Sequence, residues 1–257
     1  VGVGSTGDWS KSMLANCAEH MDYLSEHFYC QSKPDVIKHV RQIPDNVRMK
    51  AEAHREYLKD IPSLANKKIP IALDEWNYWY GPDVYGELGT QYFLKDALGI
   101  AAGLHEYYRN SDIFYMANYA QTVNVIGAIK TSKTSAAFET TGLVLRLYRR
   151  SFGTIPVKVE NNAGPLDVMA AWRDGRKTLT IGVVNPTDKE MDVALSLNGA
   201  ILTGTGMLQT ISGNDPLACN EPGKEPVVQI EQTLLKDVGD VLRVGPLSVN
   251  IFTLDVK

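Results

Sequence analysis

Cysteine is scarce: Cys17, Cys30 and Cys219 are the only three in 257 residues, an odd number with no pairing rhythm. That excludes a disulfide framework, and the spacing is not that of a zinc site, so three buried free thiols are expected. No apolar run approaches the roughly 18 residues that a bilayer-crossing helix requires. Lys and Arg, 26 against 30 Asp and Glu, are scattered, and the net charge is −4. Neither nucleic acid nor an anionic membrane is therefore expected as the main partner, because both need a concentrated basic face. His20, His27, His39, His54 and His105 form no close cluster with carboxylates at ligand spacing, so no metal is expected. The opening Val1-Gly2-Val3-Gly4-Ser5 has neither the basic region nor the apolar core of a signal peptide, and no initiator Met. The chain is expected to begin inside a longer one.

What is present is an ordinary globular composition, 44% hydrophobic and 22% charged, enough for one large or two smaller cores. Two styles of sequence meet near residue 153. Before it, short apolar runs end in polar and aromatic residues: Tyr23-Leu24-Ser25 into Glu26-His27-Phe28-Tyr29, Ile69–Leu73 into Asp74-Glu75-Trp76-Asn77, and Ile113–Met116 into Ala117-Asn118. They begin roughly 45 residues apart, which leaves room for a crossover helix between parallel strands. Helical stripes lie between them, Met13, Leu14, Cys17, Ala18 and Met21 in one, Phe93, Leu94, Ala97, Leu98, Ala101 and Leu104 in another. A last helix is expected from about Ser135 to Ser151, with Phe138, Leu145 and Tyr148 inward.

After Thr154 the pattern becomes short strands: Val157–Val159, Val168–Trp172, Leu179–Val184, Val193–Leu197, Val227–Ile230, Val241–Val244 and Val249–Leu254. Turn signals at Asp174-Gly175, Asn198-Gly199 and Gly245-Pro246 punctuate them, as in an all-β sandwich. The expected fold class is α/β followed by all-β, with boundaries at 1–152 and 153–257.

In parallel α/β folds the active site gathers at the carboxyl ends of the strands. Glu75 ends one such run and is followed by Trp76, Asn77, Tyr78, Trp79 and Tyr80. An ionised glutamate can attack an anomeric carbon, and aromatic faces stack on the apolar face of a sugar ring. A helix cap or a salt bridge is the competing reading of an isolated Asp-Glu pair, and the aromatic run only partly displaces it.

The stretch Ile71-Ala72-Leu73-Asp74-Glu75-Trp76-Asn77-Tyr78-Trp79-Tyr80 resembles the nucleophile motif of the family 51 α-L-arabinofuranosidases, retaining glycoside hydrolases. Tyr23–Tyr29 is similar to that family's sixth-strand segment, and Met116–Ile126 to its eighth. The resemblance spans essentially the whole chain. It implies the second half of a (β/α)8 TIM barrel, strands five to eight with Val1–Ser5 as the fifth, and then a β-sandwich. It implies Glu75 as the catalytic nucleophile, His27 and Tyr29 orienting it, Trp79 walling the sugar site and Gln121 binding sugar hydroxyls. Asp74 is expected to position its neighbour, and Asn118 and Asn124 to brace loops. The implied activity is release of α-L-arabinofuranosyl residues from plant cell-wall polysaccharides, as in arabinan degradation, with no cofactor.

Retaining hydrolysis needs a second carboxyl group about 5–5.5 Å from the first. The family supplies it from an Asn-Glu pair on the fourth strand, which would precede Val1. Asn220-Glu221 is the only such pair here and reads as a surface loop, while Glu26 points to the opposite side of its strand unless a bulge intervenes. The isolated chain is thus expected to be inactive. Its missing barrel half would come from the same parent chain, a second polypeptide or a homo-oligomer. Two other readings stay open: a related retaining endo-glucanase or xyloglucanase, told apart by an open cleft around Glu75, and a non-catalytic carbohydrate-binding half-enzyme.

Overall fold

The computed structural model describes residues 7–84, 86–160 and 163–257, so Val1–Ser5 lies outside the described residues. Helix α1 (Asp8–Cys17) leads to strand β1 (Leu24–Cys30), helix α2 (Val36–Asp60), strand β2 (Ile71–Tyr78), helix α3 (Leu94–Arg109) and strand β3 (Phe114–Tyr119). The three strands pair in parallel in the order β1-β2-β3, each joined to the next by one long helix, as the spacing of the apolar runs requires. Asp35 caps α2 by accepting from the Lys38 amide at 2.8 Å.

Helix α3 is buried on nearly every face, its Lys95, Asp96, His105 and Glu106 included, as in a helix packed on several sides. It lies against α2, helix α4 (Thr140–Ser151) and an antiparallel sheet. Gly103 permits the α2 approach: a Cβ there would run into Cγ2 of Ile43.

The helix expected from Ser135 starts instead at Thr140. Ala136–Phe138 form strand β5, paired antiparallel with β4 (Ile129–Thr131), and Phe138 is exposed rather than inward. The Ser132-Lys133-Thr134-Ser135 turn, closed by the Ser132 hydroxyl accepting from the Ser135 amide, makes the hairpin.

Strands β6 (Ile155–Val157), β7 (Asp167–Arg173), β8 (Thr178–Asn185), β10 (Leu202–Ser212), β11 (Glu231–Leu235) and β13 (Ser248–Val256) form one antiparallel sheet. Its order is β11-β10-β13-β8-β7-β6. Strands β9 (Met191–Ala194) and β12 (Val241–Val244) pair separately and close over one face. The period-two alternation of strand side chains divides this sheet between two cores. Val168, Ala170, Phe252 and Leu254 pack with Val193, Leu242 and Val244. Met169, Ala171, Val249 and Ile251 pack with Trp76, Leu98, Ala101 and Leu147. Val227–Ile230, expected as a strand, is irregular; the ladder partner of β10 lies just beyond it, at β11.

A buried polar chain fastens α3 to this sheet. The Tyr148 hydroxyl meets His105 Nε2 at 2.5 Å, and His105 Nδ1 meets Asp167 Oδ1 at 2.5 Å. Arg109 grips the same carboxylate at 2.7 and 3.1 Å. Burial pushes the His105 pKa down and holds the ring neutral. Burial alone would raise Asp167, but hydrogen bonds from His105 and Arg109 bring it to about 2.

Cys30 is buried, whereas Cys17 and Cys219 are half-buried; all three are free thiols. Among the described residues no helix is long and apolar enough to cross a membrane, and no group of three or more His, Cys, Asp or Glu could hold a metal ion.

Candidate active site

The carboxyl ends of β1 and β2 bring four of the expected residues together. Pairing runs Glu26↔Leu73 and then His27↔Glu75, so Asp74 is an extra residue on β2, a β-bulge. Ser25, His27 and Tyr29 share one face of β1. The bulge lets two consecutive carboxylates reach that face: Asp74 accepts from the Ser25 hydroxyl at 2.5 Å, and Glu75 accepts from the Tyr29 hydroxyl at 2.6 Å. His27 Nδ1 lies 3.6 Å from the same Glu75 oxygen. The Glu75 side chain is 50% exposed and that of His27 26%, so the carboxylate is anchored on one oxygen and open to an approaching molecule. Burial, and then the hydrogen bond to Glu75, raises the Tyr29 pKa, which keeps the phenol a proton donor.

Trp79 stands edge-on to Tyr29 with ring centroids 5.1 Å apart. Its backbone is pinned to the end of β1: its amide donates to the Cys30 carbonyl at 2.9 Å and its carbonyl accepts from the Gln31 amide group at 2.8 Å. Gln121 sits at the same end of the sheet, two residues beyond Tyr119, which pairs with Trp76. Its exposed side chain donates to the Val123 carbonyl at 3.3 Å, within its own loop. Asn124 braces that loop through Thr131, accepting from its amide at 2.9 Å. Asn118, expected to do the same, is exposed and makes no side-chain hydrogen bond among the described residues.

Sequence reasoning passed over Asn77. Fully buried two residues beyond Glu75, it donates to the carbonyls of Ala120 and Ile126, at 2.5 and 2.8 Å, and to the Tyr92 hydroxyl at 2.8 Å. It thereby ties the end of β2 to both ends of the loop carrying Gln121. A strand-end Asn inside an aromatic run was the available signal, since a buried amide must spend its donors somewhere.

Glu26 is 2% exposed on the opposite face, ion-paired with Lys50 at 2.7 Å and hydrogen-bonded by the Ser10 hydroxyl. The bulge does not bring it round. In the Asn220-Glu221 pair, Asn220 is buried and braces its own loop, accepting from the Val227 and Val228 amides, while Glu221 pairs with Lys224 at 2.9 Å.

Glu75, inside β2 just past its bulge, is thus held by Tyr29 and His27 beside Trp79, on a parallel sheet followed in the chain by an antiparallel one. The chain belongs to the alpha-L-arabinofuranosidase C-terminal domain family, whose model matches residues 74–247. That match takes in Glu75, Trp79 and Gln121 and begins after His27 and Tyr29. A probable alpha-L-arabinofuranosidase C of Aspergillus niger is 34% identical over 182 aligned residues, covering 63% of this chain and 35% of that protein. The intracellular exo-alpha-(1->5)-L-arabinofuranosidase 1 of Bacillus subtilis is 24% identical, covering 96% of this chain and 55% of that protein. The chain thus spans about a third to a half of the length of these relatives. Among solved structures, an alpha-L-arabinofuranosidase from Thermotoga maritima superposes with a TM-score of 0.85 at 23% identity, over 96% of this chain and 55% of that one. The fold is shared with the corresponding part of those enzymes.

Proposed function

We propose that this chain is the nucleophile-bearing portion of a retaining α-L-arabinofuranosidase, with Glu75 as the attacking carboxylate. Its parallel strands β1, β2 and β3 correspond to strands six, seven and eight of a (β/α)8 barrel. The proposed division is a barrel half at 1–152 and a β-sandwich at 153–257, supported by the change from parallel pairing among β1–β3 to antiparallel pairing from β6 onward. The observation that carries the reading is the half-exposed Glu75 carboxylate with one oxygen hydrogen-bonded by Tyr29 at 2.6 Å.

In the proposed reaction the free Glu75 oxygen bonds to the anomeric carbon as the glycosidic C–O bond breaks. The departing oxygen takes a proton from an acid, and water then releases the sugar from the ester, giving its proton to the same group. Tyr29 and His27 hold the carboxylate in line while positive charge develops on the sugar ring. Trp79 forms a wall, and Gln121 offers its amide to hydroxyls. The acid is not found among the described carboxylates around Glu75, because Asp74 is engaged by Ser25 and Glu26 is buried with Lys50. It is assigned to a segment outside these residues, on a longer parent chain or a second polypeptide. The substrate is an arabinose-bearing oligo- or polysaccharide of the plant cell wall.

The test is covalent trapping. An arabinofuranosyl fluoride needs little protonation to leave, so the chain should form a glycosyl ester that peptide mapping by mass spectrometry places on Glu75. Aryl arabinofuranosides, whose leaving group requires less help than a sugar's, should turn over slowly and natural oligosaccharides not at all. A label on another residue, an undiminished label in Glu75→Gln, or no adduct would overturn the assignment.

A further inference from the structure

A second groove, of about 430 Å³, lies between α4 and the β10–β11 ribbon, and none of its lining residues belongs to the Glu75 cluster. That size is within the range of small-molecule sites, roughly 300–1,000 Å³. Arg146 and Arg150, four residues apart on α4, both line it. Like charges at that spacing repel, and neither guanidinium makes an ion pair or hydrogen bond among the described residues. The other charges there, Glu221 and Lys224, neutralise each other at 2.9 Å. The groove therefore carries two uncompensated positive charges.

Its other features are not those of a bare anion site. The Arg146 guanidinium lies 5.5 Å from the centroid of the exposed Phe138 ring, within cation–π range, a contact that uses none of its N–H donors and leaves them for a carboxylate. Gln209 is largely buried, and its amide end is the part that reaches the groove. Gln232 is its cross-strand partner, so the two side chains stand on the same face. Two amides side by side on a groove wall offer both donors and acceptors to the hydroxyls of a polar ligand.

We infer that this groove binds a uronic-acid residue of an acidic oligosaccharide. The carboxylate would lie between Arg146 and Arg150, ring hydroxyls on Gln209 and Gln232, and the apolar ring face toward Phe138. An inorganic phosphate matches the guanidinia but leaves the ring and the amides unused. The site is independent of the chemistry at Glu75, and its test does not depend on turnover.

The experiment is calorimetric titration of the full 257-residue chain with digalacturonate, with its methyl ester and inorganic phosphate as comparisons. Digalacturonate should bind with an affinity that falls as salt rises, and the uncharged ester at least tenfold more weakly. The surface variant Arg146→Gln/Arg150→Gln should lose at least tenfold in affinity while keeping its melting temperature. Gln209→Ala should weaken digalacturonate without changing phosphate binding. Absence of binding, equal binding of acid and ester, an unaffected arginine variant, or phosphate matching digalacturonate would each overturn the inference.

Discussion

Lys50→Met should be among the most damaging single substitutions in the parallel layer, although it lies on the helix side of β1, away from Glu75. Glu26 and Lys50 are each 3% exposed at the side chain and 2.7 Å apart. Removing the ammonium leaves the Glu26 carboxylate in the interior with the Ser10 hydroxyl as its remaining side-chain donor among the described residues. Breaking one side of a buried pair costs about 3–5 kcal/mol, while replacing both sides by apolar groups of similar volume is often close to neutral. The expected loss for Lys50→Met is therefore about 3 kcal/mol or more, on the order of 10 °C in melting temperature for a chain of this size. Glu26→Leu/Lys50→Met should recover most of it. Urea denaturation of the wild type, both single variants and the double variant, with unchanged slope, reads the coupling directly. If Lys50→Met costs under 1 kcal/mol, or if the double variant is no better than the single, the carboxylate is solvated and this account of β1 is wrong.

Tyr29→Phe removes one charge-assisted hydrogen bond to Glu75, the proposed nucleophile, worth roughly 1.5–3 kcal/mol when buried; because Glu75 is half exposed, the lower end applies and trapping by the fluoride should slow about tenfold, an unchanged rate counting against an orienting role. Burial lowers the His105 pKa, so the unfolded chain binds a proton first as pH falls below about 6.5, and the folded state loses stability there. The wild type should consequently lose up to about 1.4 kcal/mol per pH unit more than His105→Gln between pH 7 and 5 in paired urea titrations, and parallel curves would refute a neutral buried ring. Gly103→Ala gains about 1 kcal/mol of helix propensity but drives a methyl into Ile43 at a cost of about 1–3 kcal/mol; a net loss in thermal melting, relieved by adding Ile43→Val, is expected, and a stabilised single variant would show that α2 yields freely.

The parallel strands were legible because each apolar run stops at a polar, aromatic cluster, and the helices between them because their stripes repeat at the helical period. The gathering of Glu75, His27, Tyr29 and Trp79 was legible for a related reason, since each follows the apolar start of its run; that β2 continues to Tyr78 and holds Glu75 inside the strand was not. Strand β10 was not, although it is 11 residues long, since Gly204 and Gly206 inside Leu202–Ser212 look like a turn. They are tolerated because the pairing between β10 and β13 shifts register between Leu202 and Gly206. Helix α4 starts later than the sequence suggests because Ala136-Ala137-Phe138 continues the helical stripe, yet a hairpin closed by serine hydroxyls claims those residues first. Asn77 escaped notice because its partners, the Ala120 and Ile126 carbonyls, lie 43 and 49 residues away, and no local pattern announces them.

The bulge at Asp74 explains why an Asp-Glu pair can serve the site at all. In a regular strand, consecutive side chains point to opposite faces, so Asp74 and Glu75 could not both meet the row formed by Ser25, His27 and Tyr29. One extra residue on β2 turns both toward that row, and the shift costs the ladder one pairing between Leu73 and Glu75. The strand is then re-secured beyond the bulge from the other side, because Trp76, Asn77 and Tyr78 return to a fully buried pattern against α3 and the loop after β3. The half-exposed carboxylate is thus held between two paired stretches of one strand rather than on a loop, an arrangement that fixes the direction of the oxygen proposed to attack.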